Sequence, residues 1–167
     1  FLEIYGLYDE AVAREQASRC VQCPEPLCVA GCPLNAQIPE WLALTAEGRF
    51  HEAATLLQAT STLPDVCTQV CPADHLCEAT CIINGRAQPV SVWALEQFLN
   101  EYAFSNGLAP EHNAPSNGWR VAVIGAGPGG LACADELAKR GCVVTVFDAR
   151  PVPGGSLVYG TPAFRLE

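Results

Sequence analysis

The 167-residue chain contains no methionine and opens on phenylalanine, which leads us to expect a piece of a longer protein or a processed product. It has no apolar run long enough to cross a bilayer, and nothing near Phe1 has the make-up of a secretory signal. Basic residues are scarce: the stretch before Trp119 has no lysine, and its only arginines are Arg14, Arg19, Arg49 and Arg86. With a net charge of −9 and a pI near 4.7, the chain lacks the basic patches that displace counterions from nucleic acid. Neither a nucleic-acid nor a membrane partner is expected, and the acidic surface reads as a solubility feature.

Half of the residues are apolar, so the chain is not disordered and can bury one large or two small cores. Residues 105–118, SNGLAPEHNAPSNG, have the composition of a linker. Before it, residues 1–104 show no strand alternation and read as short helices. Asp9 caps a helix through about Arg19, Pro39 suits the first turn of one running to Glu47, and RFHEAATLLQAT continues with another. Asp74 is placed to cap a short helix carrying Cys77 and Cys81, and Ser91 a longer one that stops at Asn106-Gly107. After it, in residues 119–167, the period changes. WRVAVIG reads as a buried strand, GGLACADELAKRG as a helix and CVVTVFD as a second strand, making one βαβ unit.

Ten cysteines raise the question of disulfides, but they lie in tight local clusters that could not staple distant elements, beside a nucleotide fingerprint of intracellular type. Cys20, Cys23, Cys28 and Cys32-Pro33 follow C-x2-C-x4-C-x3-C-P, and Cys67, Cys71-Pro72, Cys77 and Cys81 form a second set. The unit C-x3-C-P occurs in both, as CVAGCP and CTQVCP, a weak internal echo. Soft thiolates select zinc, copper(I) or iron–sulfur clusters. Structural zinc usually pairs two C-x2-C knuckles, and only one is present. In two-cluster ferredoxins the last cysteine of such a run serves the other cluster. By that logic Cys20, Cys23 and Cys28 hold one cluster and Cys32 reaches to a second. Two cubane clusters need eight ligands, and the two sets supply eight cysteines. If Cys67 is not among them, another side chain must complete the set. Cys77 and Cys81, at i and i+4 on the expected helix, would point together.

The stretches EAVAREQASRCVQC, GCPLNAQIPEW, CPADHLCEATC and PVSVWALEQF, followed by a dinucleotide fingerprint, cover nearly all of the chain. In that order they resemble the N-terminal region shared by the glutamate synthase small subunit, dihydropyrimidine dehydrogenase and related NAD(P)H-dependent flavoproteins. The resemblance implies a mainly α-helical, alpha-helical-ferredoxin-like domain with two [4Fe–4S] clusters, followed by an incomplete α/β Rossmann-type FAD unit. Carried over, Cys20, Cys23, Cys28 and Cys81 bind the first cluster, and Cys32, Cys71, Cys77 and Glu96 the second. Helix periodicity favours Glu96 over Gln97. Val92, Leu95, Leu99, Tyr102 and Ala103 form an apolar stripe with Glu96 at its edge, whereas Gln97 points nearly opposite. Cys67 is the rival eighth ligand; otherwise it is a small buried thiol.

Gly125, Gly127 and Gly130 of VAVIGAGPGG form G-x-G-x-x-G, with Pro128 and Gly129 inside the same loop. Gly125 serves the tight turn, Gly127 the close approach of pyrophosphate, and Gly130 close helix packing. Asp148 ends the second strand where a ribose-binding acid belongs. The glycines do not distinguish FAD from NAD. By resemblance RPVPGGSLVYGTPAFRLE belongs to an FAD domain, with Gly154-Gly155 near the flavin's phosphates and Arg150 near the adenosine or in solvent. Cys133 and Cys142 read as packing residues and Trp41 as a core or interface aromatic; Trp93 reads the same way or as a shield for a cluster. The three histidines read as surface residues, and no catalytic residue is assigned.

The reading is a cytoplasmic electron-transfer module. In the resembled family NAD(P)H gives hydride to FAD, and the clusters carry single electrons to a catalytic partner subunit or domain; a homo-oligomer is compatible with this. A pyrimidine-reductase input subunit and a zinc-binding scaffold or sensor are the alternatives. Because the FAD fold is unfinished and no NAD(P)H domain follows, this polypeptide alone is not expected to catalyse hydride transfer.

Overall fold

A computed structural model describes residues 6–108, 114–162 and 165–166. The chain divides into two compact units, Phe1–Ala109 and Pro110–Glu167.

The first unit is helical. Its elements are α1 (Glu10–Ser18), α2 (Leu27–Gly31), α3 (Ile38–Glu47), α4 (Phe50–Thr60), α5 (Pro64–Val70), a 3-10 turn (Ala73–His75) and α6 (Val92–Ser105). Local signals place several of them. Asp9 accepts a hydrogen bond from the Val12 N–H at 2.8 Å and so caps α1. Pro39 lies in the first turn of α3, and Gly48 at φ +82° ends it in the left-handed conformation. Ser91 occupies the N-cap position of α6 without a side-chain bond, and Asn106 with Gly107 (φ +65°) ends the helix.

The core gathers where α3, α4 and α6 present apolar faces. Ala13 and Ala17 of α1 are fully buried and let α1 lie close to α3, whose Trp41 is 0 % exposed. From α6, Val92, Leu95, Leu99 and Ala103 are buried as the stripe predicts, and Phe98 joins them. Phe98 meets Phe50 of α4 edge-on, with ring centroids 5.0 Å apart. Each fully buried leucine here stabilises the unit by about 1.5–3 kcal/mol.

Two expectations fail in this unit. Asp74 does not cap a helix bearing Cys77 and Cys81. Helix stops at the 3-10 turn, because Leu76 leaves helical space at φ −117°, ψ −109°. The chain then winds through turns, with Thr80 N–H bonded to Leu76 O and Asn84 N–H to Cys81 O. Cys77 and Cys81 therefore do not share a helical face. Gln97, on the face away from the apolar stripe, is only 7 % exposed and lines a polar hollow with Asp65, Thr68, Asn100 and Glu101. Helices α2 and α5 were not foreseen. For α5, Pro64 in the first turn followed by Asp65 is a readable start signal.

The second unit contains β1 (Arg120–Ile124), α7 (Pro128–Lys139), β2 (Val143–Phe147) and the short α8 (Ser156–Tyr159). The strands pair in parallel with Val123 opposite Val146, and α7 is their crossover. Along both strands Val121, Val123, Val144 and Val146 are the more buried residues. The alternate face is open, with Ile124 81 % and Phe147 53 % exposed. Cys133 is exposed on α7 and is not a packing residue, while Cys142 is half-buried with Asn117 Nδ2 3.3 Å from its sulfur. His51 and His75 are exposed, as read; His112 lies outside the described residues. Among the described residues, no helix is long and apolar enough to cross a membrane.

Candidate metal centres and dinucleotide loop

The first group of thiols forms where α1 ends. The Cys20 N–H bonds to Ala17 O at 3.0 Å, after which Gln22 turns back at φ +52°. The Gln22 side chain donates to Pro39 O at 2.9 Å, which pins this loop to the start of α3. Arg19 fastens the other side, its guanidinium donating to Gln16 Oε1 at 2.6 Å and to the carbonyls of Gln88 and Pro89. The result is one cavity lined by Cys20, Cys23, Cys28 and Cys81 over a floor that includes Ile38, Leu42 and Val92.

Burial pushes the Cys20 and Cys28 thiols up from their ordinary range. Neighbouring thiols add to this: Cys23 and Cys81 act on Cys20, and Cys20 and Cys81 on Cys28. Two backbone N–H groups, of Gln22 at Cys20 and Val29 at Cys28, pull the other way by donating to sulfur. The arrangement thus concentrates groups that become stable anions only beside a cation.

The second group lies between the end of α5, the turns after it and α6. Burial raises Cys71 and, further, Cys77, and in both cases Glu96 is the largest charged contributor, with Cys32 also acting on each. Burial, with Glu78 nearby, pushes Glu96 itself up to about 7. Among the described residues no hydrogen bond or ion pair reaches the Glu96 carboxylate. A half-buried acid without a partner, beside the thiols of Cys71 and Cys77, has the chemistry of a cation ligand. Cys67 acts on Cys71, and its sulfur lies 3.6 Å from Ser61 Oγ. Among the described residues no three His, Cys, Asp or Glu side chains converge on a single-ion position.

Two supporting residues were missed in the sequence. Glu78 accepts the Trp93 backbone N–H at 2.9 Å, and Thr80 Oγ1 donates to Leu27 O at 3.1 Å. Both are long-range bonds with no local signature. The indole of Trp93 donates to Thr68 O, which holds this half-buried ring against the core.

In the second unit the glycine loop is built as its spacing predicts. Gly125 takes φ +103°, and a Cβ at Gly130 would lie 1.9 Å from Gly125 O. Gly127 is the N-cap of α7, so the first N–H groups of that helix open onto the loop. Gly154 N–H bonds to Ala126 O at 2.7 Å, and a Cβ at Gly155 would lie 2.7 Å from Gly127 Cα, so the Gly154-Gly155 turn seats directly on the fingerprint. Asp148 accepts from the Ala126 N–H at 2.6 Å and the Arg150 N–H at 2.8 Å, and these bonds hold its carboxyl below the ordinary range. Each oxygen keeps a further lone pair for a sugar hydroxyl. The Arg150 guanidinium lies over the Tyr159 ring, 4.2 Å from its centroid.

A family profile described as dihydropyrimidine dehydrogenase domain II, 4Fe–4S cluster, matches residues 1–108. The chain belongs to that family. Family membership accounts for the thiol-rich helical unit, and residues 123–161 match a second profile, the NAD(P)-binding Rossmann-like domain. The glutamate synthase [NADPH] small chain of Escherichia coli K12 is 46 % identical over all of this chain and 36 % of its own length. That of Azospirillum brasilense is 44 % identical over all of the chain and 35 % of its own length. The putative oxidoreductase UacF of Escherichia coli K12 is 43 % identical over all of the chain and 26 % of its own length. The chain thus spans about a third or less of these curated relatives.

Proposed function

We propose that this chain is the electron-transfer portion of an NAD(P)H-dependent flavoprotein oxidoreductase of the glutamate synthase small-subunit type, with two [4Fe–4S] clusters and FAD. When bound, FAD supplies hydride acceptance and splitting of the electron pair, and the clusters supply one-electron transfer to a catalytic partner. Cys20, Cys23, Cys28 and Cys81 hold the first cluster, and Cys32, Cys71, Cys77 and Glu96 the second. The observation that carries this reading is the separation of the ligand candidates into two groups, one of them containing the unpaired Glu96 carboxylate.

The residues have definable tasks. Eight ligands shed their protons on binding, and the N–H groups of Gln22 and Val29 favour the anionic sulfurs of Cys20 and Cys28. Ile38, Leu42 and Val92 limit water at the first group, which lowers the local dielectric and tunes potential. The presence of Glu96 near both Cys71 and Cys77 favours it over Cys67 as the eighth ligand. In the second unit the N-terminus of α7 receives pyrophosphate, Gly127 and Gly155 keep side chains out of its way, and Asp148 accepts from ribose. Arg150, stacked on Tyr159, stands beside that loop.

Iron and acid-labile sulfide analysis tests the reading, with EPR after dithionite reduction. Eight irons and eight sulfides per chain support it. Zinc without sulfide removes the electron-transfer function and leaves a metal-stabilised scaffold.

A further inference from the structure

Two segments of identical spacing cross in the helical unit. Cys28–Cys32 and Cys77–Cys81 are both C-x3-C, and each sends one cysteine to each ligand group: Cys28 and Cys81 to the first, Cys32 and Cys77 to the second. They touch at equivalent positions, Gly31 immediately before Cys32 and Thr80 immediately before Cys81. The contact is tight. A Cβ at Gly31 would lie 2.7 Å from Thr80 Oγ1, 3.2 Å from Thr80 Cγ2 and 3.3 Å from Leu76 O. The Thr80 hydroxyl reaches Leu27 O, in the first turn of α2, at 3.1 Å and turns back to Cys77 O at 3.1 Å. One side chain therefore latches the strand of chain between Cys77 and Cys81 onto the helix between Cys28 and Cys32.

We propose that the Gly31–Thr80 crossing makes loading of the two ligand groups cooperative, because filling either one fixes both segments that the other needs. The proposal rests on the two-cluster reading. Ordering a segment carries an entropic penalty that arises once, whichever cluster arrives first. The second cluster meets ligands already held, so the two binding events are coupled. Thr80 and Gly31 are positioning residues: neither donates to metal, and both act through the cysteines beside them.

The test is native mass spectrometry of the chain reconstituted anaerobically with iron, sulfide and a thiol reductant at an average of four irons per chain. Independent sites leave half of the chains or more with four irons, the more so the less equal their affinities, whereas a hundredfold coupling between sites of equal affinity leaves about a tenth, the rest holding eight or none. The wild type is expected near the lower value. Gly31→Ala pries the crossing apart and is expected to raise the four-iron species toward half; Thr80→Leu does so from the other side, should Gly31→Ala not fold. Thr80→Ala removes the hydroxyl latch without adding bulk and is expected to raise the four-iron species as well, whereas Thr80→Ser keeps the hydroxyl and is expected to keep the wild-type distribution, a contrast that a change of helix propensity at residue 31 would not produce. A wild-type four-iron fraction of half or more, or Gly31→Ala and Thr80→Leu both behaving as wild type, overturns the coupling. Failure to reach eight irons with excess iron and sulfide instead overturns the two-cluster reading, and the coupling with it.

Discussion

The backbone N–H of Trp93 donates to the Glu78 carboxylate at 2.9 Å, tying the turn between Cys77 and Cys81 to the first turn of α6. The bond spans fifteen residues and brings a second acid up to Glu96. Glu78→Gln keeps an acceptor for Trp93 and removes the charge, so the Glu96 titration should move down toward the ordinary glutamate range. Glu78→Ala removes this bond and should destabilise the iron-free protein by roughly 0.5–3 kcal/mol. Carboxyl NMR titration checks the first outcome and urea denaturation the second.

Glu96 should show opposite effects with and without metal. Its folded-state value of about 7 lies above the usual 4.3 or so of an unfolded glutamate, so the iron-free fold binds the extra proton. Stability is then full below the unfolded value and falls as pH rises from about 4.3 to about 7. Glu96→Gln should therefore stabilise iron-free protein at pH 8 by roughly 2–4 kcal/mol, with the difference closing near pH 4. The same substitution should weaken iron retention in the loaded protein. Urea denaturation at the two pH values and iron analysis check both halves.

These contrasts mark what was legible in the sequence. Helix α1 could be read from Asp9, the start of α3 from Pro39, and the βαβ unit from its glycine spacing, because each signal acts on its own neighbours. The turns after Ala73 could not. Their path depends on Glu78 meeting Trp93 and Thr80 meeting Leu27, bonds between residues far apart in sequence. Gln97 and Asn100 are buried on the face away from the apolar stripe because α5 covers it, a contact helix periodicity does not reveal. Spacing alone proposed that Cys32 leaves its three neighbours. The division of the second set, with Cys81 returning to the first group, came from family resemblance.

Asp148 offers a check on the glycine loop. Hydrogen bonds from Ala126 and Arg150 depress its folded value, so their stabilisation is present above the unfolded value of about 3.9 and lost as pH falls through the folded one. Carboxyl NMR should give a midpoint below 3.9 or so in wild type, and Asp148→Asn should shift the Ala126 amide.

Gly130→Ala should disrupt the fingerprint, since its Cβ would fall 1.9 Å from Gly125 O, a backbone atom that cannot rotate away. The expected result is a loss of at least about tenfold in FAD affinity, or about 1.4 kcal/mol, measured by flavin fluorescence. Iron content of the helical unit should be unchanged.

The central claim is that Cys32 serves the group of Cys71 and Cys77, not the one its three nearest cysteines form. Cys32→Ala, loaded at excess iron and sulfide, tests it through iron count and EPR together. The account predicts a fall from eight irons to about four per chain, with the signal that Cys20→Ala abolishes still present. Retention of all eight irons, or loss of that signal while the one dependent on Cys71 persists, would contradict it.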